Sequence, residues 1–313
     1  MVKRSEYPGS AIAVWLAVAA YLTLVVSFAW NPTPFAQGLA AVGIAAAFTY
    51  ASFAYGLKHA LALFLICTAI SFAMENLGAA TGFPFGHYHF EVASSLPHIG
   101  SIPMVVGPLW FGMGYFSWMV AGILLGGADF RLRDRFNAIV LPVVAAFVMT
   151  QWDLVLEPPS ATVSKAWVWH DGGAFFGVPA SNFFGWLLTS WLFFQAFALY
   201  LRGRQDALAR AAGLSPALRA TAVFFYLSSG LTHLTPWLMT QVGEAADGAG
   251  HIWRVHDVRE TAVIAMLLTM GFTSLLALLR VFRPEHLGAD PRQAASVGQA
   301  QLPSEPHPVR GEI

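Results

Sequence analysis

Long apolar runs alternate with short polar segments along the whole chain. Eight runs, at residues 11–30, 36–56, 59–80, 103–126, 136–156, 177–201, 218–242 and 260–281, each reach the roughly 20 residues that a helix needs to cross a hydrocarbon core about 30 Å thick. The pattern predicts an all-α fold, a polytopic membrane bundle of eight transmembrane helices. The first run follows Lys3 and Arg4. It is longer than the apolar stretch of a signal peptide and no small-x-small cleavage site follows it, so it reads as a span.

Basic residues orient the bundle. Fourteen of the 17 Lys and Arg residues fall in the N-terminus, in the loops after the second, fourth and sixth runs, and in the C-terminus; Lys165, Arg254 and Arg259 are the other three. The positive-inside rule then puts both termini in the cytoplasm. Residues 1–283 form the transmembrane domain. Residues 284–313 are rich in Pro, Ala, Ser and Gln without periodicity and are expected to be a disordered cytoplasmic tail.

In that topology the polar residues inside or beside the spans gather on one side. Glu75 lies roughly 24 Å above His59 along the third run at about 1.5 Å per residue. It opens the stretch Glu75–Phe90, which passes through Gly78, Gly82 and Pro84 to His87, Tyr88 and His89. Gln151, Trp152, Asp153 and Glu157 stand at the outer end of the fifth run, Asn182 near the start of the sixth, His233 in the outer half of the seventh, and Glu260 at the start of the eighth. A charged group in the bilayer costs about 2.5–3.5 kcal/mol on insertion scales, so intramembrane carboxylates are functional candidates by default; the alternative for Glu75 is a structural hydrogen bond between helices.

Asp153 and Glu157 are four apart and share a helix face. Two like charges in a poorly solvated place favour keeping a proton on one of them, which general acid catalysis requires; the alternative is an interfacial pair bathed in loop water. Pro158 should end the helix at Glu157. The aromatics crowded at this end, among them Trp110, Trp152, Trp167, Trp169 and Trp186, divide between an interfacial belt and a pocket whose π faces stabilise a cation, in proportions the sequence leaves open.

Composition narrows the classes further. The chain is 57% hydrophobic and 11% charged with a net charge of zero, against about 25% charged for a soluble domain, and nothing in it suggests nucleic-acid binding. Cys67 is its single cysteine. There is no HExxH, no GxGxxG, no P-loop and no histidine set of the kind that holds two irons, so no metal site and no cofactor is expected.

Three pieces in order resemble the prokaryotic carotenoid biosynthesis proteins, the CruF-type carotenoid hydratases. They are Glu75-x-x-Gly78-x-x-x-Gly82-x-Pro84-Phe85-Gly86-x-Tyr88; Trp152-Asp153-x-x-x-Glu157-Pro158; and Trp167-x-Trp169 followed by Gly177-Val178-Pro179-x-x-Asn182-Phe183-x-Gly185-Trp186. Phe175 and Phe176 stand where tyrosines are expected in relatives. The resemblance covers most of residues 11–281. It implies cofactor-independent addition of water across the terminal C=C of an acyclic ψ end of a carotenoid, giving a tertiary alcohol. γ-Carotene, lycopene-like chains and the long precursor of bacterioruberin are the substrates it suggests. The partners implied are a long apolar carotenoid entering from the lipid, and water, with other enzymes of the carotenoid pathway as candidates.

The expected mechanism is protonation of the alkene and attack of water on a tertiary cation. Asp153 is the expected acid and Glu75 its partner, with Glu157 as the third catalytic candidate. His87, Tyr88, His89, Asn182, Trp152, Trp169 and His233 are expected to bind substrate or water. Two other classes stay open. One is a zinc-dependent membrane hydrolase like the alkaline ceramidases, using His233, His251 and His256; the other is a non-catalytic carotenoid or lipid carrier.

Overall fold

The computed structural model describes residues 8–28, 34–91, 96–205, 214–240 and 242–282. The sequence-based expectation for the tail from Pro284 lies outside them. The helices are α1 (Pro8–Phe28), α2 (Pro34–Tyr55), α3 (Leu57–Thr81), α4 (Val106–Leu124), α5 (Arg135–Pro158), α6 (Ala180–Arg202), α7 (Pro216–Leu231), α8 (Leu234–Met239), α9 (Val255–Met266) and α10 (Phe272–Phe282). A π turn at Leu267–Gly271 joins α9 to α10. Among the described residues, five stretches, Gly38–Tyr55, Leu57–Thr81, Arg135–Val163, Ala180–Arg202 and Val255–Phe282, are long and apolar enough to cross a membrane. The molecule is an all-α membrane helix bundle.

Four helices make the centre. α3 packs on α4, α4 on α5, α5 on α6, and α6 returns to α3. The inward faces carry large rings with little or no exposure: Trp110, Phe111, Tyr115 and Trp118 from α4, and Phe193, Phe194 and Phe197 from α6. Around this ring, α2 covers α3 and α4, α7 and α10 cover α4, α9 covers α5, and α1 lies mainly on α7. Outward positions such as Leu61, Leu65, Phe147, Leu268 and Phe272 stay exposed, as suits helices whose surroundings are lipid.

Local chemistry sets the element ends. Asp134 caps α5 by accepting from Phe136 N at 3.0 Å, and Ser215, followed by Pro216, caps α7 by accepting from Leu218 N; both are standard N-terminal devices. One expectation changes. Residues 218–242 are not one continuous helix: the chain breaks at Thr232–His233 between α7 and α8, because Pro236 has no N–H to give the carbonyl four residues back. The α-helix does end at Pro158, one residue beyond Glu157 as expected, but the chain does not stop coiling there. Pro158 and Pro159 withhold two N–H groups, and the chain continues as a π turn, Pro159–Val163, closed by Ser164 N on Pro159 O at 2.9 Å.

The segments between helices hold short antiparallel ladders that the hydrophobic pattern did not announce. Strand β1 (Tyr88–Phe90) pairs with β4 (Trp167–Trp169), β2 (His98–Ile99) with β3 (Ile102–Pro103), and β5 (Glu244–Ala246) with β6 (Ile252–Arg254). The β1–β4 pair comes from the two stretches that follow α3 and α5. It sits over the end of the four-helix ring where those helices finish and α4 and α6 begin.

The polar groups are not confined to that end. At the opposite end, Asp129 is buried, its Oδ2 accepting from the Tyr55 hydroxyl at 2.6 Å, while Trp118 donates to that hydroxyl at 3.0 Å. Gln205 binds across the same region, accepting from Leu132 N at 3.0 Å. This second knot ties the loop after α4 to α2 and α6.

Candidate active site

Three carboxyl groups are buried beneath the β1–β4 pair. Glu75, in the last two turns of α3, accepts the Trp110 indole N–H at Oε1 over 2.9 Å and the Tyr88 hydroxyl at Oε2. Glu157, at the end of α5, accepts both the Trp167 and the Trp169 indole N–H at Oε1, at 2.5 and 2.6 Å. Asp153, one turn earlier and fully buried, accepts Asn182 Nδ2 at Oδ2 over 2.9 Å. Its Oδ1 meets no N–H or O–H donor among the described residues, and the neighbouring carboxyl is that of Glu157.

Strand alternation decides which side chains of the hairpin reach this place. Tyr88 pairs with Trp169 and Phe90 with Trp167, and all four rings turn toward the carboxyls. His87 and His89 face the other way. Both are exposed: His87 pairs with Asp171 at 2.9 Å, and His89 meets His170 at 2.7 Å and Glu91 at 2.8 Å. Burial, then the Glu75 carboxylate beside it, push the Tyr88 hydroxyl well above the ordinary tyrosine range, so it serves as a donor.

Phe85 is the wedge that sets the hairpin's height. A Cβ on Gly78 would come within 2.7 Å of Phe85, and one on Gly185 within 2.5 Å. The ring therefore rests in notches on α3 and α6 that only glycine leaves open. Gly82 ends α3 with φ 80°, a left-handed cap that glycine adopts without strain and that turns the chain back toward the site.

Between these groups lies a cavity of about 130 Å³, lined by Glu75, Tyr88, Glu157 and Asn182 and by five tryptophans, Trp110, Trp152, Trp167, Trp169 and Trp186. Trp110 and Trp186 stack with centroids 4.0 Å apart and planes at 19°, and Trp152 lies tilted against Trp186 at 5.8 Å. An apolar cavity with a few convergent polar groups is the usual form of a small-molecule site. Its aromatic faces and carboxylates suit a reaction that passes through a cation.

Of the residues expected from sequence, the structure gathers Glu75, Glu157, Asp153, Tyr88, Asn182, Trp152 and Trp169. Asp153 stands behind Glu157, outside the cavity wall. His87 and His89 point away from it, and His233 sits at the break between α7 and α8 with its buried Nε2 unpartnered among the described residues. Gln151 turns instead to α7 and α10, accepting from Tyr226 and Thr273. Trp110 and Trp186 belong to the site although sequence reasoning left them in an undivided set of aromatics. Trp186 is four residues after Asn182, hence on its helix face, a signal that was available.

Residues 35–246 match the family of carotenoid biosynthesis proteins. The chain belongs to that family. The matched stretch contains the three carboxyls, Asn182 and all five tryptophans of the cavity. Among relatives, the bisanhydrobacterioruberin hydratase of Haloarcula japonica is 29% identical over 122 residues, 39% of this chain and 39% of that protein. No solved structure matches the chain.

Proposed function

We propose that this membrane protein of the carotenoid biosynthesis family is a carotenoid hydratase, adding water across the terminal C=C of an acyclic ψ end. The observation that carries the reading is the division of labour among the three carboxyls. Both Glu75 oxygens hold donors, which favours an ionised carboxylate fixed in place. The Asp153 Oδ1 has no donor among the described residues, which suits a single proton held between Asp153 and Glu157, as two adjacent buried carboxyls titrate as a pair.

In this reaction the pair supplies the proton through Glu157, whose side chain reaches the cavity. The π bond breaks and a C–H bond forms at the less substituted carbon. The positive charge falls on the dimethyl carbon, facing the Trp110–Trp186 stack and the Glu75 carboxylate. A water held near Tyr88 and Asn182 forms the C–O bond. Its released proton passes to Glu75, and exchange with solvent returns the carboxyls to their starting state. Asn182, by holding Oδ2, fixes the Asp153 carboxyl in place beside Glu157. The sequence-based assignment of the acid to Asp153 thus becomes an assignment to the Asp153–Glu157 pair.

The zinc-hydrolase alternative needs His233, His251 and His256 together. The latter two have separate engagements, His251 with Asp247 and His256 with Thr240 O, and among the described residues no three His, Cys, Asp or Glu side chains converge as a metal would require.

Expression in a host that makes acyclic carotenoids, with mass analysis of the pigments, tests the proposal. A hydratase adds the mass of one water per reacted end. A carrier leaves the pigment mass unchanged, and that outcome would replace this reading.

A further inference from the structure

A second cavity, of about 330 Å³, adjoins the acid-lined one, and the two share Leu109, Met113, Trp152 and Leu156 as a common wall. Its far side is built by Tyr21 and Val25 of α1, Ala40 and Gly43 of α2, and Phe225 and Ser229 of α7. Phe225 stacks on Phe116 with centroids 5.3 Å apart and planes at 6°, so one flank is a flat aromatic face. Nothing in the hydratase chemistry uses this space. The first cavity, at about 130 Å³, falls below the roughly 300–1,000 Å³ of ordinary ligand sites. It has room for an end group and not for the chain behind it.

We propose that the larger cavity binds the conjugated chain of the substrate, with Trp152 as the partition that lets only the terminal unit reach the carboxyls. The proposal rests on the hydratase reading for which end is protonated. Three features favour a flat, extended, apolar occupant: the shared wall, the stacked Phe116–Phe225 face, and a lining in which a few hydroxyls are scattered among aliphatic and aromatic groups. Tyr21 and Val25 lie on α1, outside the stretch that matches the family, so the far end of the chain site is shaped partly by residues beyond residues 35–246. That end is where chain-length preference would be set.

Gly43 offers the test. A Cβ there meets only the Tyr21 hydroxyl, at 3.8 Å, so a side chain would grow into the cavity and not into a neighbouring helix. Purified wild type, Gly43→Ala, Gly43→Phe and Ala40→Phe are each given an acyclic polyene carotenoid and, separately, a short terpene with the same dimethylvinyl end. Bound polyene is read by visible absorbance and hydrated product by mass. Overfilling a packed site should weaken binding roughly five- to 150-fold, so both phenylalanine variants should lose polyene binding by a factor in that range. Both should still hydrate the short terpene, and Gly43→Ala should weaken polyene binding less than Gly43→Phe. Undiminished polyene binding in both phenylalanine variants overturns the proposal, as does equal loss of the short substrate in both. Wild type that binds polyene, loses it on cavity filling and hydrates neither substrate would support the chain site while removing the hydratase reading.

Discussion

Trp110 donates its indole N–H to Glu75 Oε1 across 2.9 Å, while the same ring stacks on Trp186 at 4.0 Å. One side chain therefore fixes both a carboxylate and the aromatic face where a cation would form. Trp110→Phe keeps a ring and removes the donor. A hydrogen bond to a charged group is worth about 1.5–3 kcal/mol, so kcat/KM should fall roughly ten- to hundredfold with the protein still inserted. Trp110→Leu, which removes the face as well, should fall further. Steady-state rates of the two variants, compared at equal membrane expression, check this order.

The proton source should need both members of its pair. Asp153→Asn and Glu157→Gln preserve size and polarity but leave no carboxyl pair to share a proton. Each should lower turnover by about 10²–10⁴-fold, the usual contribution of a general acid. Asp153→Asn protein that kept more than about a tenth of wild-type activity would exclude Asp153 from the pair and leave Glu157 as the acid on its own.

Neighbours in sequence should part in function. Tyr88→Phe removes the donor on Glu75 Oε2 and should reduce activity at least about tenfold. His87→Ala and His89→Ala alter exposed side chains on the other face of β1 and should stay within about twofold. Product yields from the three variants separate the two faces of the hairpin, and a large loss at either histidine would contradict the placement of the site.

Much of this was legible in the chain. The helical runs followed from apolar length alone, and Glu75, Asp153, Glu157 and Asn182 were found because polar side chains in such runs are costly. What escaped depended on geometry that spacing does not carry. The residues of His87-Tyr88-His89 look alike as a cluster, and only the pairing of β1 with β4 shows that the tyrosine turns in while the histidines turn out. Pro158 read as a stop, and the α-helix does end there; the π turn at Pro159–Val163 that follows carries no signal in the spacing of residues. Asp129 was overlooked because it lies among arginines in a loop, where a solvated carboxylate is the default. Trp110 and Trp186 were indistinguishable from belt tryptophans until their partners were seen.

The orientation predicted from Lys and Arg remains a matter for labelling. With Cys67→Ala as background, Lys165→Cys should react with an impermeant thiol reagent from outside the cell, and Arg133→Cys should not. The reverse pattern would invert the molecule in the membrane and carry the whole carboxyl layer with it.

In the proposed reaction the oxygen added to the substrate comes from water, after protonation of the alkene by buried carboxyls. Incubating the membrane protein with an acyclic carotenoid in oxygen-18 water under strict anaerobiosis addresses it directly. The expected product is a tertiary alcohol bearing the heavy oxygen, formed without dioxygen and lost in the Glu157→Gln variant. A hydroxylated product that carries no label from the water, or that appears only when dioxygen is admitted, would contradict it.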